Sequence, residues 1–302
     1  MSALVDFAYG YHTGILEKYT DEELKEAAKS IYNIKGFSEV KWTYIDKDSE
    51  LTEEDLKAQK KYLNRGEFGE LILHVLLRDF IKTTPLLSKI YFKDTDGATV
   101  HGFDAVHIGK DVSGEGDSLY LGETKFYSRK DDTAGEKAVN DLVDDIKEHF
   151  QSSFLEREFS LIGKRKNSYD SLEEYEDKNT IDRYKKFLKE KSDWFKKIND
   201  AEKRNIKLQS FLKSVTVPLL CTYESKLLTK YTDEENPDFI KEYETQINSL
   251  QKLFKEKVKS IEVEQGEPIR TDLNLILFLF PIPSKKELVK ILHQKLYNRA
   301  NI

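Results

Sequence analysis

A single cysteine, Cys221, leaves the chain without any means of forming an internal disulfide. It lies in the apolar stretch Val217-Pro218-Leu219-Leu220-Cys221 and reads as core filler rather than as a nucleophile. A lone thiol suits a reducing cytosol. The opening residues, Met1-Ser2-Ala3-Leu4-Val5-Asp6, lack the basic stretch and long apolar run of a secretory leader. The longest largely apolar run, Leu273 to Ile282, is too short to span a bilayer and reads as a buried strand, so no membrane association is expected. Excess positive charge is also missing: the net charge is -6. The chain as a whole does not attract a polyanion, and any nucleic-acid surface must be a local patch. There is no P-loop, no H-E-x-x-H, no zinc-type cysteine pair and no G-x-S-x-G. Nucleotide-driven motors, zincins and serine hydrolases of the nucleophile-elbow type therefore find no support.

What is present is enough apolar material for a substantial core. Hydrophobic residues make up 38% and aromatic residues 12% of the 302 residues, which suits one large domain or two small ones. No internal repeat is found. Residues 1–60 form a polar, mixed N-terminal region with a helix near Asp21 to Ile31 and another starting after Thr52. Helical periodicity sharpens from Asn64 onward. Asn64 and Glu67 have capping-box spacing, and Phe68, Leu71, Ile72, Val75, Leu76 and Phe80 recur on one side. Leu73 and Leu77 add a second apolar side, so burial on more than one face is expected.

Strand-like runs follow at Lys89 to Lys93, Gly102 to Ile108 and Leu119 to Tyr127, the last two joined by a Gly-rich polar loop. A helix is expected from Glu136 to Phe150, with Val139, Leu142, Val143, Ile146 and Phe150 on one face. Residues 151–213 turn Lys/Glu-rich and helical and read as an insertion. Strands resume at Val215 to Tyr223 and Leu273 to Phe280, separated by a helix from Pro237 to about Val263 and followed by a terminal helix, Lys285 to Tyr297. The expected fold is α/β: a mixed sheet flanked by helices, its αβββαβ core spanning 61–150 and 214–302.

The hairpin carries the chemistry. Pairing Ile108 with Leu119 sets Val106 opposite Leu121 and Asp104 opposite Glu123. Glu123 and Lys125 then share a face at period two, continuing from Leu119 and Leu121. Two carboxylates about 5 Å apart repel unless a cation neutralises them. Hard divalent ions such as Mg²⁺, with Mn²⁺ as a substitute, accept a few carboxylate oxygens and keep several waters. Lys125 would sit beside a metal-bound water. The Thr124 side chain points away, which leaves its backbone carbonyl as an additional metal ligand. Glu70, on the buried helix after Arg65-Gly66, is a fourth acidic candidate. The bland alternative is a surface salt-bridge lattice, which a bare E-x-K would not exclude; the apolar strand flanks and the register favour the site. His101 and His107 are given no direct role, since His107 falls on the face opposite Asp104.

These residues resemble the PD-(D/E)XK nuclease superfamily: an acid on the first core helix (Glu70), then Gly102-Phe103-Asp104, then Gly122-Glu123-Thr124-Lys125. Phe103 stands where the family's proline would be. The fuller pattern, R-G-E-F-G-E-x-x-L-H, H-G-F-D-A-V and L-G-E-T-K-F-Y, is similar to the HamA family, nuclease subunits of the bacterial Hachiman anti-phage system. The likeness is sharp over residues 64–150 and weaker beyond. It implies Mg²⁺-dependent phosphodiester hydrolysis on DNA, a bacterial cytoplasmic setting and a partner helicase, HamB. Asp104, Glu123 and Glu70 would serve the metal, and Lys125 the nucleophile. A non-catalytic subunit that regulates a helicase and a sequence-specific restriction endonuclease stay open as alternatives. Between Arg183 and Lys213, eleven basic residues stand against four acidic ones, with Phe187, Trp194 and Phe195 interleaved. This stretch is either a phosphate-tracking patch or a solvated helix surface with its aromatics in the core.

Overall fold

The computed structural model describes residues 20–32, 52–53, 57, 66–87, 102–128, 133–164, 178–204 and 206–301. Asn64, Arg65, His101 and the expected strand Lys89 to Lys93 lie outside the described residues. Helix α1 spans Asp21–Tyr32. Helix α2, Glu67–Leu76, runs into a π-helical turn, Leu77–Ile81. Its N-cap is Gly66, with no side-chain capping hydrogen bond. The π turn shifts the helical phase by one residue, so Phe80, expected on the apolar stripe, is 72% exposed while Leu77 is buried.

Five strands form one sheet in the order β1-β2-β3-β4-β5. They are β1 Thr84–Leu87, β2 Ala105–Lys110, β3 Asp117–Tyr127, β4 Val215–Glu224 and β5 Asn274–Ile282. The first three pair antiparallel, and β3-β4 and β4-β5 pair parallel. Strand β1 falls on Thr-Pro-Leu-Leu, a run that Pro85 argues against as a central strand. An edge position tolerates the missing N–H, and the register shifts between Pro85 and Leu87. The central β4 is buried along nearly its whole length, as a parallel strand covered on both faces must be. Pro218 sits inside it, and the β3-β4 register pairs Tyr120 with Thr216 and next Glu123 with Leu219, passing over Pro218 and its missing donor.

Helix α3, Ala134–His149, places Ala138, Val139, Leu142, Val143 and Ile146 on the sheet at helical spacing. The stretch read as an insertion is helical: α4 Ser152–Lys164, α5 Lys178–Glu202 and α6 Leu208–Leu212. Its apolar side is not a separate core. Leu155, Phe159, Trp194, Phe195 and Phe211 join the same cluster as Leu119, Leu121, Val217 and Leu219 of the sheet. After a short α7, Leu227–Lys230, helix α8 spans Pro237–Lys259. Pro237 opens it, and the Asn236 side chain accepts from the Asp238 N–H at 2.8 Å. Helix α9, Lys285–Asn301, packs against α1, where Arg299 and Asp21 form an ion pair at 2.6 Å.

The sheet thus has helices on both faces. On one, α2 covers Ala105, Tyr120 and Leu220. On the other, α3 and the inserted helices cover Val106, Ile108, Leu119 and Leu121. Burial of each large apolar side chain contributes about 1.5–3 kcal/mol, so this two-sided core is the main source of stability.

Candidate active site

The register of the hairpin is the one the alternation requires: Ile108 pairs with Leu119 and Val106 with Leu121. The pairing stops at Ala105 and Gly122, one residue short of Asp104. Asp104 still donates its N–H to the Gly122 carbonyl at 2.8 Å, but it lies in a bend rather than in the strand. Period-two alternation therefore fails beyond Ala105. Phe103, which strict alternation would put on the same face as Ala105, instead joins the cluster on the α3 side. The Asp104 carboxylate turns onto Thr124, whose N–H and Oγ1 both donate to Oδ2 at 2.9 Å. Gly102 makes the turn possible, with φ of +144° and the Glu158 carboxylate of α4 packed where a Cβ would stand.

Glu123 and Lys125 lie on the α3 face of β3, and α3 meets them with a matched series of polar groups. His149 Nδ1 is 2.8 Å from Glu123 Oε1, Asp145 Oδ2 is 2.7 Å from Lys125 Nζ, and Asp141 accepts from the Tyr127 hydroxyl. The match is geometric. Two strand residues advance about 6.6 Å and four helix residues about 6 Å, so a strand i, i+2, i+4 series stays in step with a helix i, i+4, i+8 series. Asp145 and His149 went unread in the sequence, although their spacing with Asp141 (i, i+4, i+8), set against the Glu123, Lys125, Tyr127 spacing, carried the signal.

The electrostatics follow from this ladder. Burial alone would lower the Lys125 pKa, but the hydrogen bond and charge of Asp145, with the charges of Glu123 and Asp104, more than offset it and leave the pKa raised. Lys125 is thus held as an ammonium. Burial pushes Asp145 up further than Lys125 pulls it down. Burial also lowers the His149 pKa, which favours the neutral ring at neutral pH.

Thr124 points to the other face, as alternation requires: a Cβ on Gly69 of α2 would come 3.3 Å from its Oγ1. Glu70 is buried on that same helix, which packs on the side of β3 where Thr124 holds the Asp104 carboxylate. The geometry joins Asp104 to Thr124, sets Glu123 and Lys125 on the α3 side of the same strand and adds Asp145 and His149; Glu70 is buried on α2, the helix that packs on the Thr124 side. His107 is a core residue. Its Nδ1 is 2.9 Å from Thr83 Oγ1 and its Nε2 is 3.2 Å from His74 Nδ1. The aromatics of the basic stretch are core residues too: Phe187, Trp194 and Phe195 are each at most 5% exposed, so they are not base-stacking platforms.

A divalent ion fits the donor types here, since hard ions of the Mg²⁺ kind take one or two carboxylates and keep the rest of their waters. Asp104, in the bend just before β2, and Glu123 of β3 supply carboxylates. Among the described residues no three His, Cys, Asp or Glu side chains gather around one point, so water or substrate oxygens would complete the shell.

The architecture and the site define an α/β protein whose five-stranded mixed sheet, with helices on both faces, carries an acid, an E-x-K pair and their α3 partners at the mouth of one hairpin. A family model described as HamA matches residues 1–296 of the 302-residue chain, and the chain belongs to the HamA family, components of the Hachiman defence system. No curated protein and no solved structure matches it. Among the described residues, no helix is long and apolar enough to cross a membrane.

Proposed function

We propose that this chain is a metal-dependent DNA endonuclease or nickase with a PD-(D/E)XK-type core, acting within the defence system beside a helicase of the HamB kind. The observation that carries the reading is the α3 face of β3: Glu123 and Lys125 side by side, each held by a polar partner, with Asp104 on the neighbouring Thr124. A salt-bridge lattice on a solvated surface would not bury Glu123 to 4% exposure.

Asp104 and Glu123 are the residues that would hold Mg²⁺ or Mn²⁺. When bound, such an ion polarises a scissile phosphate and lowers the pKa of an attacking water. The Lys125 ammonium orients that water and stabilises charge developing on the phosphate; with its pKa raised it serves as a cation rather than as a base. Asp145 fixes the Lys125 side chain and limits its rotamer freedom. Glu70, buried on α2 at the Thr124 side of β3 to which Asp104 turns, would support the ion or its waters.

The chain carries no P-loop of its own, and its membership of the HamA family points to a partner helicase as the source of control. The test is cleavage of supercoiled and linear DNA by the chain alone and by the chain co-purified with its neighbouring helicase, with Mg²⁺ or with EDTA. Mg²⁺-dependent nicking or linearisation that Glu123→Ala abolishes supports the proposal. Absence of cleavage in both preparations overturns it and leaves the second reading, a nuclease-fold subunit that regulates a helicase without cutting. That second reading draws on one observation: Lys125 and Glu123 are already partnered within the chain.

A further inference from the structure

We infer that His149 is a positioning residue for the Glu123 carboxylate, and that the inserted helix α4 takes part in the site by clamping the His149 ring. The inference rests on the reading of Glu123 as a metal-holding carboxylate. It stands on three contacts. His149 Nδ1 lies 2.8 Å from Glu123 Oε1. An ionised carboxylate only accepts hydrogen bonds, so Nδ1 carries the proton and the tautomer is set. The ring stacks on Phe154 of α4, with centroids 4.3 Å apart and planes 13° from parallel. Phe103, one residue before Asp104, meets the same ring edge-on at 6.0 Å.

The imidazole is therefore fixed in plane by Phe154, fixed laterally by Phe103, and directed at a single oxygen of Glu123. This has the form of the carboxylate and imidazole supports found around metal ligands, which hold a ligand's orientation without touching the ion. The position at the last residue of α3 matters. His149 completes the Asp141, Asp145, His149 series, and the chain then enters α4 within three residues, at Ser152, so a single stretch delivers both the imidazole and its stacking partner. A histidine serving only to fill the core would not need a carboxylate partner, and a histidine serving only to neutralise Glu123 would not need two aromatic faces.

The test compares full-length wild type, Glu123→Ala, His149→Phe and His149→Asn by Mn²⁺ binding, followed by calorimetry and by electron paramagnetic resonance, with thermal melts in EDTA as the folding control. His149→Phe keeps an aromatic ring against Phe154 and removes the donor. His149→Asn loses the stack and keeps an N–H donor near the Nδ1 position. Mn²⁺ affinity is expected to fall about 10-fold in His149→Phe and to recover at least in part in His149→Asn. Wild-type affinity in His149→Phe, or an Asn variant no better than the Phe variant, overturns the positioning role. Wild-type Mn²⁺ affinity in Glu123→Ala overturns the metal-holding reading of Glu123 itself, whatever the His149 variants do. Should His149→Phe fail to fold, the comparison of wild type with His149→Asn decides alone: a loss beyond 10-fold in the Asn variant overturns the inference.

Discussion

The two faces of β3 are built on different principles. Toward α2, Tyr120, Gly122, Thr124 and Phe126 meet the helix by shape: a Cβ on Gly122 would come 2.8 Å from Leu73 Cδ2 and 3.2 Å from both Ala105 and Pro218. Toward α3, the lower half of the strand meets its helix by shape through Leu119 and Leu121, while the upper half, Glu123, Lys125 and Tyr127, meets it by charge and hydrogen bonding. Substitutions on the first face should act on folding. Substitutions on the upper part of the second face should act on chemistry and leave folding nearly intact, because functional sites trade stability for chemistry and removing Glu123 relieves a buried carboxylate.

The sharpest way to break this contrast is the pair Glu123→Ala and Lys125→Ala. Each should reduce Mg²⁺-dependent cleavage by about 10²–10³-fold or more, with the EDTA melting temperature close to wild type. A plasmid assay read beside the melts would refute the division if the variants unfolded, or if they cut normally. On the packing face, Gly122→Val should destabilise the fold by about 2–3 kcal/mol, since Leu73 and the short, rigid side chains of Ala105 in β2 and Pro218 in β4 cannot all yield. Urea titration measures this, and cleavage at low temperature should survive in the fraction that stays folded.

Buried histidines on the α2 face and on α9 also carry a stronger pH sensitivity than the α3 ladder. Burial lowers the pKa of His74 to about 3 and that of His293 to about 4, and places His107 well below its ordinary value. The unfolded chain takes up these protons below about pH 6.5 while the folded chain does not. Stability is therefore fully present above that pH and is lost as the pH falls from 6.5 toward 4. Chemical denaturation at pH 7 and pH 5 should differ by about 1–2 kcal/mol for each of His74 and His293. His293→Leu should flatten the profile, and an unchanged slope in that variant would contradict the assignment.

The smallest expected effect concerns α5 and the turn after it. Its aromatics are buried, but Lys196, Lys197 and Lys203 are exposed. Reversing these three to glutamate should weaken DNA binding modestly. It should also reduce the salt slope by about one for each phosphate that is no longer neutralised. A slope equal to that of wild type would make this surface an ordinary solvated helix face, in line with Lys197 lying over the Trp194 ring at 4.3 Å.

Much of this was legible in the chain. The helix, strand and hairpin order, the pairing of Ile108 with Leu119 and the shared face of Glu123 and Lys125 follow from apolar periodicity, which local sequence carries. Three features were not legible, each for a physical reason. The π turn at Leu77–Ile81 changes helical phase without a compositional signal and exposes Phe80. Strand β1 carries a proline that propensity counts against, and only its edge position accommodates it. Alternation breaks at Asp104 because Gly102 and Glu158, more than fifty residues apart, pack against each other.

Local sequence therefore determined the elements, the hairpin register and the presence of an acid and an E-x-K pair on it. Tertiary structure alone decided which groups attend them: that α3 lies on the Glu123 side, that α2 with Glu70 lies on the Thr124 side, and that Asp145, His149 and Phe154 stand around Glu123 and Lys125. The reason is that periodicity is a property of neighbours in the chain, whereas the face a helix covers is set by how the whole apolar surface closes over both sides of the sheet.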